Sequence, residues 1–150
     1  MRSAVFSLLF LAATADAQVI VEPGFQVTPV FGGLTLPTAA RFAPDGRCFV
    51  AEKMGLVKVF TDINDTTGET IIDITARPWT AGDHGLLGLA VDPNFPASPY
   101  LYLLYTLRGN PGGHLARFTL DPATNQVVDE KTVLEGWCFA YLSHGVDDLA

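Results

Sequence analysis

Apolar and polar positions alternate along this chain or cluster in short blocks, and beyond residue 17 they hold no helical period. Phe25 to Phe31 alternates, which predicts a half-buried strand interrupted or ended near Pro29. After a turn at Gly32-Gly33-Leu34, three further short strands are predicted at Thr38 to Phe42, Cys48 to Ala51 and Leu56 to Phe60. Pro44-Asp45-Gly46 and Gly55 separate them, residues that bend a chain by fixing or freeing φ. Four short strands within about 35 residues have the dimensions of one propeller blade.

The block from Gly82 to Phe95 organises the second half of the chain. A polar turn, Gly82-Asp83-His84-Gly85, leads into the unbroken apolar run Leu86 to Val91, and Asp92-Pro93-Asn94-Phe95 closes it. So short a run between turn signals predicts a strand buried on both faces. Gly88 and Ala90 alternate with Leu87, Leu89 and Val91, so one face is expected to lie close against neighbouring backbone. Each buried Leu or Val contributes roughly 1.5–3 kcal/mol. With Thr70 to Ile74 before it, and Tyr100 to Leu107 and His114 to Leu120 after it, this block forms a second four-strand unit. Pro44 and Pro93, like Phe42 and Val91, fall about 49 residues apart at equivalent points of the two units. Thr132 to Leu134 and Val146 to Ala150 are expected to begin a third. The fold class expected is therefore all-β, a β-propeller with about two blades and the start of a third.

Composition narrows the function. Sixteen acidic against 9 basic residues give a net charge of −7. Nucleic acid and anionic membrane surfaces both demand a cationic footprint, so neither is an expected partner. Arg2, the apolar stretch Ala4 to Ala13 and the Ala15-Asp16-Ala17 site read as a cleaved signal peptide over residues 1–17. The apolar stretch is shorter than the ~20 residues that span a bilayer. The mature chain, 18–150, is thus expected to be secreted or periplasmic, with no membrane span.

Export changes how several side chains are read. Cys48 and Cys138 are either a disulfide or two buried thiols, and neither is spaced for zinc. Asn64-Asp65-Thr66, in the polar loop Thr61 to Glu69, is an N-x-T sequon. In a secreted eukaryotic protein it is a glycan acceptor; in a bacterial one it is an Asx turn, the reading that needs no source. Among the 3 histidines, His84 reads as a hydrogen-bonder of its turn, and His114 opens a strand expected to be exposed. Asp147-Asp148 reads as a turn edge, since calcium needs six or more oxygens from a shaped loop. No metal site is expected from these residues.

Several stretches, in order and spacing, carry a family resemblance. They are Leu36-Pro37, Phe42-Ala43-Pro44-Asp45-Gly46-Arg47, Phe49-Val50-Ala51-Glu52-Lys53 with Gly55, and Gly85-Leu86-Leu87-Gly88-Leu89-Ala90 with Asp92-Pro93-Asn94-Phe95. Tyr100-Leu101-Tyr102, Tyr105-Thr106, Gly136-Trp137-Cys138, Ser143-His144 and Asp148-Leu149-Ala150 continue the series. In these the chain resembles the N-terminal part of the soluble quinoprotein glucose/sorbosone dehydrogenases. The resemblance implies a six-bladed propeller that oxidises an aldose-type sugar, with pyrroloquinoline quinone and calcium on its axis. It implies that His144 is the catalytic general base, taking the sugar's hydroxyl proton while hydride passes to the quinone. Imidazole suits that role because its pKa, ~6.5, lies near working pH. It implies further that Asp83 faces the sugar as a substrate-binding residue, and that the cationic cofactor clamps and calcium ligands come from later blades. Where many members read Ser-Val-Gly-Asp-Leu-Ala after the histidine, Gly145-Val146-Asp147-Asp148 stands here, placing bulk and charge at Asp147. Two rival readings share the fold: a non-catalytic extracellular ligand-binding propeller, and an inactive truncated product.

Overall fold

A computed structural model describes residues 22–109, 112–137 and 145–149. Its elements are eight strands: β1 (Pro37–Phe42), β2 (Cys48–Glu52), β3 (Leu56–Phe60), β4 (Glu69–Asp73), β5 (Leu86–Val91), β6 (Tyr100–Thr106), β7 (Gly113–Leu120) and β8 (Val127–Trp137). They form two four-stranded antiparallel sheets, ordered β1-β2-β3-β4 and β5-β6-β7-β8. Each sheet is a meander whose consecutive strands are neighbours, the construction of a propeller blade. Among the described residues no helix is long and apolar enough to cross a membrane.

The two sheets share one core. Phe49, Ala51, Val57, Val59 and Ile72 of the first sheet, with Ile74 just after it, pack with Leu86, Leu89, Leu101, Leu103, Tyr105 and Phe118 of the second. β2 is buried along its whole length, and β6 nearly so, as their uninterrupted apolar runs require. Thr38 joins the sheets directly, its hydroxyl donating to the Leu86 carbonyl at 2.8 Å. Phe42 ends β1 and Val91 ends β5, so the repeat of about 49 residues marks equivalent strands.

The grouping of strands into blades differs from the sequence expectation by one strand. Phe25 to Phe31 forms no strand, and Phe25 and Val27 are exposed. Its alternation serves another purpose at its end: the Phe31 ring lies 4.2 Å from that of Phe60, covering an outer cluster of Cys48, Val50 and Phe60. The first blade instead closes with β4, and the second with β8. Thr132 to Leu134 therefore completes the second blade rather than opening a third. β8 is exposed almost throughout and rich in charge, so it carries no apolar period by which its full length could be read. Residues 145–149 lie outside any strand.

One side chain also departs from expectation, and a second falls on one of the two readings left open for it. His114 is buried, its ring 4.9 Å from that of Tyr105, because β7 is an interior strand of its sheet. Cys48 is a free, fully buried thiol, and burial pushes its pKa up. Cys138 and residues 1–17 lie outside the described residues.

Candidate functional site

The turn that carries Asp83 is built by the approach of three segments. After β4 the chain crosses to the second sheet, where the Trp79 N–H donates to the Thr106 carbonyl at 2.8 Å. His84 then turns inward. It is 1% exposed, stacks on Trp79 with ring centroids 4.4 Å apart, and sets Nδ1 3.2 Å from the Thr106 hydroxyl. The histidine is thus buried beneath its turn, its imidazole reaching β6 while its backbone N–H donates to the Ala81 carbonyl of the turn at 3.2 Å.

From the first sheet, Lys53 holds the same turn at two points. Its ammonium donates to the Gly82 carbonyl at 2.6 Å, and its own carbonyl accepts the Leu86 N–H at 2.9 Å. This approach requires glycine at position 85. With φ of +152°, a Cβ there would stand 2.7 Å from both the Lys53 carbonyl oxygen and Cγ. Asp83, at the tip of the clamped turn, is exposed.

Residues 145–149 complete the wall. A Cβ on Gly145 would lie 3.0 Å from His84 Nδ1 and 3.1 Å from the Asp83 carbonyl oxygen. Gly88 gives the segment room along β5, since a Cβ there would meet the Asp147 carbonyl oxygen at 2.9 Å and Leu149 Cγ at 3.2 Å. This is the close backbone approach that the small residues of β5 foretell. Val146 is buried against Gly113. Arg41 of β1 fastens the far end, pairing with the Asp148 carboxylate and donating to the Leu149 carbonyl at 3.0 Å. The Leu149 N–H, then Arg41, hold the Asp148 carboxyl below the usual carboxylate range.

Together these segments enclose a pocket of about 310 Å³ lined by Asp83, Leu87, Gly145, Val146 and Asp147. The two adjacent aspartates have separate duties: Asp147 lines the pocket, while Asp148 is tied to Arg41. The turn-edge reading of the pair therefore captures neither role. A pocket of similar volume beside β5 offers Asp92 as its one carboxylate, and another beneath Phe31 and Leu34 has no charged lining. Asp83 is thus one of the two carboxylates in the lining of this pocket. His144 lies outside the described residues, although its neighbour Gly145 lies against the Asp83 turn. No group of three or more potential metal ligands occurs among the described residues.

Lys53 and Trp79 are supporting residues that sequence reasoning does not single out. Lys53 lies inside one of the family-like stretches without a role of its own, and nothing in the local pattern ties Trp79 to a histidine five positions on.

Comparison with known proteins places the chain in a family and a fold. Residues 34–140 match the family described as Glucose / Sorbosone dehydrogenase. Human Hedgehog-interacting protein is 36% identical over 88 residues, covering 55% of this chain and 13% of that protein. The mouse protein is 32% identical over 120 residues, covering 71% and 17%. Among solved structures, an oxidoreductase of Thermus thermophilus described as a glucose dehydrogenase superposes with a TM-score of 0.63 at 33% identity, over 75% of this chain and 32% of that one. The pyrroloquinoline quinone-bound aldose sugar dehydrogenase of Streptomyces coelicolor shares the fold, with a TM-score of 0.59 at 21% identity over 73% and 33%. The chain spans less than a fifth of these curated relatives and about a third of these solved chains.

Proposed function

We propose, since the chain belongs to the glucose/sorbosone dehydrogenase family, that the complete protein is an exported oxidoreductase acting on an aldose-type sugar. The observation that carries this reading is the pocket in which the Asp83 turn meets residues 145–149. Its described lining supplies carboxylates, which accept hydrogen bonds from sugar hydroxyls. Asp83 is the substrate-binding residue in this reading, and Asp147 a second acceptor beside it. His144 is the general base, taking the proton from the hydroxyl that becomes a carbonyl.

The proposed oxidant, from the family, is pyrroloquinoline quinone with calcium. The described lining does not fit the quinone, which bears carboxylates of its own: it presents two aspartates and no cation. These residues are assigned to the sugar alone, and the groups that hold quinone and calcium to the rest of the propeller.

A second reading rests on the likeness to Hedgehog-interacting protein, which is named for an interaction and not for a reaction. In this reading the blades serve as a binding module. One experiment separates the two. The complete protein, supplied with quinone and calcium, is mixed with aldoses, and quinone reduction is followed in a single turnover. Oxidation is expected, and His144→Gln is expected to slow it by about 10²–10⁴ at unchanged quinone occupancy and melting temperature. No reduction by any aldose at full occupancy would favour the binding module. An unchanged rate in the variant would remove His144 from the mechanism.

A further inference from the structure

The loop between β3 and β4 takes no part in the pocket, yet it carries Asn64-Asp65-Thr66. Two aspartates stiffen it. Asp62 Oδ1 accepts the Asn64 N–H at 2.6 Å. The Asp65 carboxylate accepts the N–H groups of Thr61 at 3.0 Å, Thr67 at 3.1 Å and Gly68 at 3.3 Å, and these bonds hold its pKa down to about 2. The Asx turns of this loop are thus made by the neighbours of Asn64. Among the hydrogen bonds of the described residues, Asn64 contributes its backbone N–H alone. Asn64 and Thr66, the amide and hydroxyl an acceptor sequon needs, are both exposed.

The loop's place in the fold is also permissive. Lys53, at the end of β2, meets the Asp83 turn, and β3 begins at that end with Leu56 and runs away from it. The loop after Phe60 therefore lies at the opposite end of the sheet from the pocket. A bulky group there leaves the pocket open and stays clear of the core between the sheets. It would stand beside β4, the edge strand of its sheet, where a hydrophilic cover also discourages pairing with other chains. Asp62 adds a last piece of chemistry. Eukaryotic oligosaccharyltransferase reads N-x-T, whereas the bacterial enzymes also require an acidic residue two positions before the asparagine. Asp62-Ile63-Asn64-Asp65-Thr66 satisfies both.

We propose that Asn64 is an N-linked glycan acceptor of the exported protein, an inference that rests on the export reading of residues 1–17. The test expresses the complete protein in insect cells, and in a bacterial host carrying a bacterial oligosaccharyltransferase. Each host makes it once with its own leader and once with a host leader. Glycosidase-sensitive mobility and peptide mass at Asn64 are the readouts. Modification is expected in both hosts, lost in Asn64→Gln and Thr66→Ala and retained in Thr66→Ser. Asp62→Asn is expected to abolish it in the bacterial host only. Unmodified Asn64 in folded protein exported by the host leader, in both hosts, would overturn the proposal. Modification with the host leader but not with the chain's own would support the acceptor site and refute the export reading.

Discussion

Replacing Gly85 by alanine tests whether the Asp83 turn is clamped by backbone. The new methyl would stand 2.7 Å from the Lys53 carbonyl oxygen, which directly follows the fully buried β2 and is held by the Leu86 N–H. Two costs add. Holding a non-glycine residue at φ of +152° costs about 1–3 kcal/mol. Moving the carbonyl away breaks its bond to the buried Leu86 N–H, and leaving such a pair unmade costs about 1–3 kcal/mol. The expected loss is therefore about 2–6 kcal/mol. Gly46→Ala is the control. Gly46 also has positive φ, +95°, but a Cβ there meets nothing within 4 Å, so it should cost only the strain, about 1–2 kcal/mol. Urea denaturation of the wild type and both variants measures the difference. Equal destabilisation would refute the clamp, because it would mean that the Lys53 carbonyl yields freely. In the complete protein, Gly85→Ala should also raise the sugar KM, whereas Gly46→Ala should leave it unchanged.

Lys53→Met keeps the apolar stem and removes the ammonium that donates to Gly82, so it should cost about 1 kcal/mol in denaturation and raise the sugar KM. Lys53→Arg should recover most of both, and an unchanged KM in Lys53→Met would show that the ammonium does not position the turn. His114 should give stability an acid limb. Burial lowers its pKa, against the opposing pull of Glu135 at 3.6 Å, so the unfolded chain takes up a proton near pH ~6.5 while the folded chain stays neutral. Its contribution is full above that pH and is lost as pH falls toward the depressed folded value. Thermal melts of His114→Gln from neutral to acid pH should show that part of the slope flattened, and an unaltered slope would contradict it.

Much of the fold was legible because strand burial writes itself into sequence. β2, β5 and β6 are interior or doubly covered, and their apolar runs stand out between glycine and proline turns. β8 was illegible for the opposite reason: exposed strands are held by backbone pairing, which leaves no mark on side-chain pattern. Without it the blade boundaries shift by one strand, and the free alternation of Phe25 to Phe31 fills the vacancy in the count. Asp83 could be placed in its turn, though its facing a sugar was implied by the resemblance alone, and the need for small residues along β5 is visible before anything is known to lie against them. Asp147 could not be given a direction, since successive residues of an extended segment face opposite ways and no paired strand fixes their register. Lys53 and Trp79 act across the interface between sheets, a relation that no local period encodes.

The pocket's frame and its chemistry are carried by different atoms. Gly85, Gly88 and Gly145 each sit where a Cβ would meet backbone or a buried ring, so the frame is fixed by how closely three main-chain segments approach. The Trp79–His84 stack supports that frame from below. Asp83 and Asp147 instead stand at exposed positions on it. Side chains so placed can change without disturbing the approach of the segments beneath them, as surface substitutions away from packed features generally do. This separation accounts for an aspartate at position 147, where many relatives of the resembling family have glycine. Asp147 lines the pocket, and its backbone carbonyl still meets Gly88 closely. Under the proposed function, the departure is expected to change what the pocket binds while leaving intact how the pocket is built.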